Sequence, residues 1–209
     1  MRVLVACEYS GKVRDAFARK GHEAWSCDLL PTDSPGQHYQ GDVMDIINDG
    51  WDLMIAHPPC TYLTIAAEWA YKKNKKKKLS PDKLYGRARL AAREDAIGFV
   101  LRLMNAPIHR ICIENPIGVL SSRIRKPDQI IQPYNFGHDA SKQTCLWLKK
   151  LPPLYRTEFI EPRIVDGKPR WGNQTDSGQN KLPPSKDRWK ERSETYSGIA
   201  CAMADQWSF

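Results

Sequence analysis

The sequence has none of the cysteine or histidine patterns that bind zinc, because its six cysteines form no C-x-x-C pair and its five histidines show no ligand spacing. The scattered cysteines also form no disulfide framework, which favours reduced thiols in a reducing compartment. No apolar stretch approaches the roughly 18 residues of a membrane span, and the amino terminus carries no signal-peptide core. We therefore expect a cytoplasmic protein without a metal, a disulfide or a membrane segment.

The sequence also lacks an internal repeat, and its 209 residues are too few for two ordinary domains. A hydrophobic content of 41% and a charged content of 27% are typical of a globular protein. We expect one domain over residues 1–209. Residues 1–151 would form its core, residues 152–190 a loop-rich segment of Pro, Gly, Asn and basic residues, and residues 191–209 a C-terminal helix that packs back.

Positive charge is abundant, with a net charge of +8 and a pI near 9.2. This balance favours a polyanionic partner such as DNA. Lysines fill positions 72 to 78 except at Asn74, with Trp69, Tyr71 and Tyr85 nearby. We predict that this lysine run contacts phosphate through Lys73, Lys75 and Lys76; the alternative is a solvated loop that binds nothing.

Short apolar runs alternate with helical stretches from the amino terminus onward, which predicts right-handed βαβ units. The fold class expected is α/β, with a Rossmann-like, doubly wound, mostly parallel sheet. The predicted strands are Val3–Cys7, Glu23–Cys27, Asp52–Ala56, His109–Ile113, Ile130–Gln132 and Cys145–Leu148. The predicted helices are Lys12–Lys20, Val43–Asn48, residues 82–105 and Tyr196–Trp207. The apolar face of the third helix is predicted to comprise Ala91, Ala92, Ala96, Phe99, Val100 and Leu103.

Cys60 follows the apolar strand Asp52–Ala56 through a turn that Pro58 and Pro59 stiffen. In open α/β sheets the chemistry collects at the carboxyl ends of the strands, so this thiol stands where a nucleophile is expected. A small buried core residue is the alternative, because free cysteine is among the most buried residue types.

Two aspartates follow strand ends on the amino-terminal half of the sheet. Asp28 and Asp42 occupy positions where a carboxylate commonly binds the ribose of a nucleotide-type cofactor. The first strand-to-helix turn is not G-x-G-x-x-G, which disfavours a dinucleotide. Ordinary capping of a turn is the alternative for both residues.

Glu114 and Asn115 close a later strand, at the same edge as Cys60 if the two strands are parallel neighbours. A carboxyl group beside a thiol suits conjugate addition to a heterocycle, because the acid can hydrogen-bond the ring nitrogen that receives the charge. A strand-end glutamate paired with an arginine is the alternative.

In their order, these motifs resemble the cytosine-5 DNA methyltransferase family, in a compact phage-encoded branch. The resemblance covers about residues 1–150 and the last dozen, and its specific part is Pro58-Pro59-Cys60 with Glu114-Asn115 downstream. Supporting matches lie at Val3 to Gly11, at Gln132 to Gly137 through Leu148, and in the last helix. The resemblance implies a sheet of the class I methyltransferase type, S-adenosylmethionine as the methyl donor, and a bacterial or phage-infected host cell.

The resemblance also implies residue roles. Cys60 would add to C6 of cytosine, with Glu114 at N3 and the exocyclic amine, on a base flipped out of the duplex. The implied cofactor-binding residues are Cys7, Glu8, Tyr9, Ser10, Gly11, Asp28, Asp42, Val43 and Pro58. The implied substrate-binding residues, besides the three lysines, are Pro59, Thr61 and Asn115.

Three departures from the family's pattern keep the function open. Cys7-Glu8-Tyr9 replaces a glycine-rich turn, Thr61 replaces a glutamine, and residues 148–195 leave little room for a target-recognition domain. Methylation of cytosine in DNA is the first hypothesis. A methyltransferase acting on free pyrimidine nucleotides and a non-catalytic nucleic-acid-binding relative are the alternatives, which salt-dependent DNA binding and methyl transfer distinguish.

Overall fold

The computed structural model describes residues 1–65, 68–72, 83–185 and 188–209, except for the side chain of residue 189. The strands are β1 (Arg2–Ala6), β2 (Glu23–Asp28), β3 (His38–Gln40), β4 (Leu53–Ala56), β5 (Arg110–Pro116), β6 (Gln129–Ile131), β7 (Thr144–Lys149), β8 (Arg163–Val165) and β9 (Lys168–Arg170). The helices are α1 (Lys12–Arg19), α2 (Gly86–Met104), α3 (Leu120–Arg123), α4 (Arg188–Ser193) and α5 (Ser197–Gln206).

Seven strands form one sheet in the order β3-β2-β1-β4-β5-β7-β6. The strands from β3 through β5 are parallel, and β7 runs antiparallel to both of its neighbours. The chain order reverses between β1 and β4, and ligands of open α/β sheets bind in the crevice at such a switch point. The predicted Rossmann-like, doubly wound, mostly parallel sheet is confirmed.

Both faces of the sheet are covered, which explains why its central strands read as continuous apolar runs. All four residues of β4 are fully buried. On one face, α1 and α5 pack against each other and against the sheet, with Phe17 and Trp207 fully buried there. On the other face α2 contributes Val100 and Leu103.

The structure corrects two sequence-based boundaries and one predicted helix face. The predicted helix Val43–Asn48 is a single 3-10 turn, Val43–Asp45. The strand predicted to end at Ile113 continues to Pro116, because β7 pairs with that extension across the sheet. The predicted apolar face of α2 is wrong in part. Ala91 is exposed, whereas Arg89 and Arg93 are buried beside Ile97.

The segment 152–190 was predicted to be loop-like, and it contains a β8–β9 hairpin and the start of α4. The indole of Trp171, just after β9, stacks on Tyr134 with ring centroids 4.1 Å apart. Asn173 exchanges two hydrogen bonds with the backbone of Ser141. Among the described residues, no helix is long and apolar enough to cross a membrane.

Candidate active site

The turn after β4 holds Cys60, and a neighbouring strand fixes it. Asn115, which is 2% exposed in β5, donates its side-chain N–H to the carbonyl of Pro58 at 2.7 Å. The Cys60 carbonyl accepts the backbone N–H groups of Leu63 and Thr64 at 2.9 and 3.1 Å. The carboxyl ends of two parallel neighbours, β4 and β5, are therefore tied together at the predicted nucleophile, as the sequence analysis expected.

Two arginines that the sequence analysis missed hold the same turn from α2. Arg89 donates to the carbonyl of Thr61 at 3.2 Å, and Arg93 donates to the carbonyl of Tyr62 at 2.9 Å. Tyr71 packs under both guanidinium groups, with its ring centroid 3.5 Å from Arg93 Cζ. Arg89 and Arg93 are four residues apart, so they lie on the same face of α2. This spacing is the feature of the sequence that could have identified them as a pair.

The Cys60 thiol is partly exposed. Burial raises its pKa above the usual value, and the negative charge of Glu114 raises it further. The positive charges of Lys142 and Arg192 oppose the shift without cancelling it. The raised pKa favours the protonated thiol, so a reaction that uses Cys60 as a thiolate must remove its proton.

Glu114 pairs with His57, an interaction that the sequence did not predict. His57 Nδ1 lies 2.6 Å from Glu114 Oε2, with side-chain exposures of 10% and 12%. Burial by itself would raise the pKa of Glu114, but the hydrogen bond and positive charge of His57 outweigh burial and keep the pKa below its usual range. The strand-end glutamate is thus paired, but with a histidine rather than an arginine.

Two small cavities flank this pair. The first is lined by Glu114, Lys142, Thr144, Thr195, Tyr196 and Ile199. The second is lined by Cys7, Glu8, Tyr9, Ser10, His57, Ser193, Glu194 and Thr195. Thr195 lines both cavities. Glu114 lines the first cavity and His57 lines the second, so the hydrogen-bonded pair connects the two.

The first turn after β1 brings the predicted residues 7–11 to the second cavity. Cys7 has a left-handed φ of 58°, and Gly11 precedes α1 with a φ of 72°. The Glu8 carboxylate accepts the backbone N–H groups of Val13 and Arg14 at 2.8 and 3.2 Å. A side-chain carboxylate thus fills the anion-binding start of α1, where a glycine-rich turn would leave room for a ligand.

Asp28 is the last residue of β2, and Asp42 follows β3, the strand that pairs with β2. Asp28 accepts the N–H of Leu30 at 2.9 Å through Oδ1, and Asp42 caps the 3-10 turn by accepting the N–H of Met44 at 3.0 Å. Burial and the charges of both aspartates raise the pKa of Cys27 to about 12. Both residues therefore make the turn contacts of the capping alternative, and cofactor binding by Asp28 and Asp42 stays a prediction.

A buried arginine, Arg14, shapes the loop that follows β2. It is 1% exposed and bonds the hydroxyls of Ser26 and Thr32 and the carbonyls of Ser34 and Pro35. The sequence predicts this residue only as part of the helix Lys12–Lys20. Its bonds fix the chain beside Asp28.

The chain before α5 lies across the first turn. The hydroxyl of Tyr9 bonds the Lys190 carbonyl and the Ser193 hydroxyl at 3.1 and 3.0 Å. Lys12 pairs with Glu194 at 2.5 Å. The carboxyl-terminal segment therefore completes the second cavity, which is why Ser193 to Thr195 line it.

Lys73, Lys75 and Lys76 lie outside the described residues, so the predicted phosphate contacts remain a prediction. Trp69 is 40% exposed, and its ring lies 5.9 Å from that of Tyr85.

Two solved methyltransferase structures resemble this chain. One is a triple mutant of DNMT2 from Spodoptera frugiperda, at 16% identity and a TM-score of 0.41, covering 81% of this chain and 57% of that one. The other is described as a DNA modification methyltransferase encoded within an Escherichia coli prophage, at 15% identity and a TM-score of 0.42, covering 80% of this chain and 53% of that one. The chain thus spans little more than half the length of either.

No family model matches the sequence, and no curated protein matches it. The fold assignment accordingly depends on the strand order and direction described above. Cys60, Glu114 and His57 are the candidate reactive side chains of this site.

Proposed function

We propose that this protein is an S-adenosylmethionine-dependent methyltransferase that acts at C5 of cytosine in DNA. The observation that carries the proposal is the meeting of Cys60 and Glu114 at adjacent parallel strand ends, fixed by the Asn115–Pro58 hydrogen bond. A thiol and a carboxyl group at the switch point of the sheet are the two groups that conjugate addition to a pyrimidine needs.

The residues at the neighbouring strand ends fit S-adenosylmethionine. Asp28 uses Oδ1 for the Leu30 N–H, so its second carboxylate oxygen is the one that would meet a ribose hydroxyl. Asp42 and Val43 would lie at the adenine, and residues 7–11 and Pro58 at the remainder. When bound, the cofactor supplies a methyl group to a carbon nucleophile.

The protein's own residues would activate that carbon. Cys60 Sγ forms a bond to C6 of cytosine, and the displaced electron pair moves towards N3 and C5. Glu114, whose pKa is lowered, would accept the thiol proton of Cys60 and then donate it in a hydrogen bond to N3. After methylation, a water molecule would take the proton from C5, the electron pair of that C–H bond would re-form the C5–C6 double bond, and Cys60 would leave and regain the proton held by Glu114.

Free pyrimidine nucleotides remain a second candidate substrate. The observation that favours them is the small size of segment 152–190, which holds a two-stranded hairpin rather than a large recognition domain. The net charge of +8 favours DNA. Pro59, Thr61 and Asn115 would border either substrate. A binding protein without turnover is the third hypothesis.

Methyl transfer from tritiated S-adenosylmethionine tests the proposal, with duplex DNA, single-stranded DNA and cytosine nucleotides compared side by side. We expect label at C5 of cytosine in DNA. Cys60→Ser should abolish transfer, whereas Cys201→Ser, which changes an exposed thiol on α5, should not. Transfer to nucleotides alone would support the second candidate, and wild-type transfer by Cys60→Ser would refute the mechanism.

A further inference from the structure

His57 lies where the two halves of the sheet meet. It follows β4 directly, and its backbone N–H donates to the carbonyl of Ala6 at the end of β1 at 2.9 Å. Its ring is held from β5 by Glu114, with 2.6 Å between Nδ1 and Oε2. The His57 side chain therefore contacts Glu114 of β5 and also lines the second cavity, which lies at the first turn after β1.

The other ring nitrogen has no partner. Within the described part of the chain, His57 Nε2 is buried and accepts or donates no hydrogen bond. A buried polar atom without a partner costs about 1–3 kcal/mol, so an atom of this kind needs an explanation such as a catalytic role, an ordered water or a bound group.

The charge of the ring determines whether a partner of Nε2 must be a hydrogen-bond donor or an acceptor. Burial would lower the pKa of His57, but the hydrogen bond to Glu114 and the charges of Glu114 and Glu8 outweigh burial and the opposing charge of Lys142. The pKa is therefore raised, which favours the imidazolium, and both nitrogens of an imidazolium are donors. In that form Nε2 requires an acceptor.

The nearby carboxylates are already engaged. Both oxygens of Glu8 accept N–H groups at the start of α1. Glu194 is paired with Lys12. The acceptor for His57 therefore comes from outside these two side chains, and a ligand that enters the cavity can supply it.

The sheet order indicates which end of the ligand reaches His57. Asp28 lies at the end of β2, β1 comes next, and His57 follows β4. Two strand spacings, about 10 Å, separate β2 from β4. A cofactor whose ribose meets Asp28 would extend its amino-acid end, with its carboxylate, across β1 towards His57.

We propose that His57 binds the α-carboxylate of S-adenosylmethionine through Nε2 while its Nδ1 positions Glu114. This inference rests on the proposed function. His57 thereby leaves Glu114 Oε1 as the oxygen that faces the pyrimidine, and it links the occupied cofactor cavity to the orientation of that carboxylate. Towards Glu114 it acts as a positioning residue.

Calorimetry with two unreactive probes tests the inference. S-Adenosylhomocysteine carries the amino-acid end, and 5′-methylthioadenosine lacks it. His57→Asn keeps an N–H at the position of Nδ1 but removes the second donor. We expect it to weaken S-adenosylhomocysteine binding about tenfold to a hundredfold, the loss of a charged hydrogen bond, and to leave 5′-methylthioadenosine binding within twofold. His109→Asn, at an exposed histidine, is the matched control and should alter neither affinity.

The outcomes separate the two proposals. Unchanged S-adenosylhomocysteine binding in a folded His57→Asn protein, or equal weakening of both probes, would overturn the role of His57 alone. Failure of the wild type to bind either probe would overturn the proposed function together with this inference. A measurement without any variant is available: the carboxamide of S-adenosylhomocysteine should bind the wild type at least tenfold more weakly than the acid, and equal affinity would overturn the inference.

Discussion

Replacing Glu114 by Gln is expected to destabilise the protein most at mildly acidic pH. The variant keeps an oxygen that accepts the Nδ1–H of His57 but removes the negative charge from a pair whose side chains are 10% and 12% exposed. Removing one partner of a buried ion pair costs about 3–5 kcal/mol, and a retained hydrogen bond reduces this to about 2 kcal/mol.

The sign of the pH dependence follows from the two pKa shifts. The raised pKa of His57 contributes stability that is present below its ordinary value of 6.5 and is lost as the pH rises through the raised value. The lowered pKa of Glu114 contributes stability that is present above its ordinary value of 4.5 and is lost as the pH falls through the lowered value. The pair is therefore most stabilising between about 4.5 and 6.5.

Thermal unfolding followed by circular dichroism measures this difference. For a chain of this length about 1 kcal/mol shifts Tm by roughly 2–4 °C, so Glu114→Gln should lower Tm by about 4–8 °C near pH 5.5. The deficit should shrink as the pH rises through the raised pKa of His57, because the neutral ring can still donate to the glutamine. A deficit that is constant with pH, or that grows as the pH rises, would refute the ion pair.

Three further predictions concern the cofactor, the nucleophile turn and the lysine run. Asp28→Ala should weaken S-adenosylhomocysteine binding by roughly 1–3 kcal/mol in calorimetry, and unchanged affinity in a folded variant would mean that the carboxylate does not bind the ribose. Arg93→Met should lower the rate of methyl transfer with little effect on S-adenosylhomocysteine affinity, because it frees the Tyr62 carbonyl beside Cys60; an unaltered rate would show that the turn holds without it. Neutralising lysines within 72–78 should flatten the slope of log affinity for DNA against log salt by about 0.7 to 0.9 per lost contact, and an unaltered slope would indicate a solvated loop.

The parallel half of the sheet was predictable because its strands are short apolar runs that end in distinctive residues. Cys60, Glu114 and Asp28 follow or close such runs, so the rule that strand ends gather at one edge located all three. The antiparallel pairing of β7 was not predictable, because it depends on contacts between residues 111–116 and 144–149 that no local pattern encodes. This pairing extends β5 and carries Glu114 inside the strand.

The residues that the sequence analysis missed act through distant partners. His57 reads as one more turn residue beside two prolines until the fold brings Glu114, 57 positions away, to its ring. Arg89 and Arg93 read as exposed helix residues, because arginine is seldom buried unless it finds partners such as the carbonyls of Thr61 and Tyr62. Periodicity identifies a helix face more reliably than it identifies what that face contacts.

The most direct test of the proposed chemistry is covalent trapping on DNA that contains 5-fluorocytosine, with S-adenosylmethionine present and the adduct mapped by mass spectrometry. Fluorine cannot leave C5 as a proton does, so the bond from the nucleophile to C6 should persist. We expect a single adduct through Cys60, formed by Cys201→Ser and absent from Cys60→Ser. An adduct at another cysteine, or methylation of ordinary cytosine without any adduct on the fluorinated DNA, would contradict the assignment of Cys60 as the nucleophile.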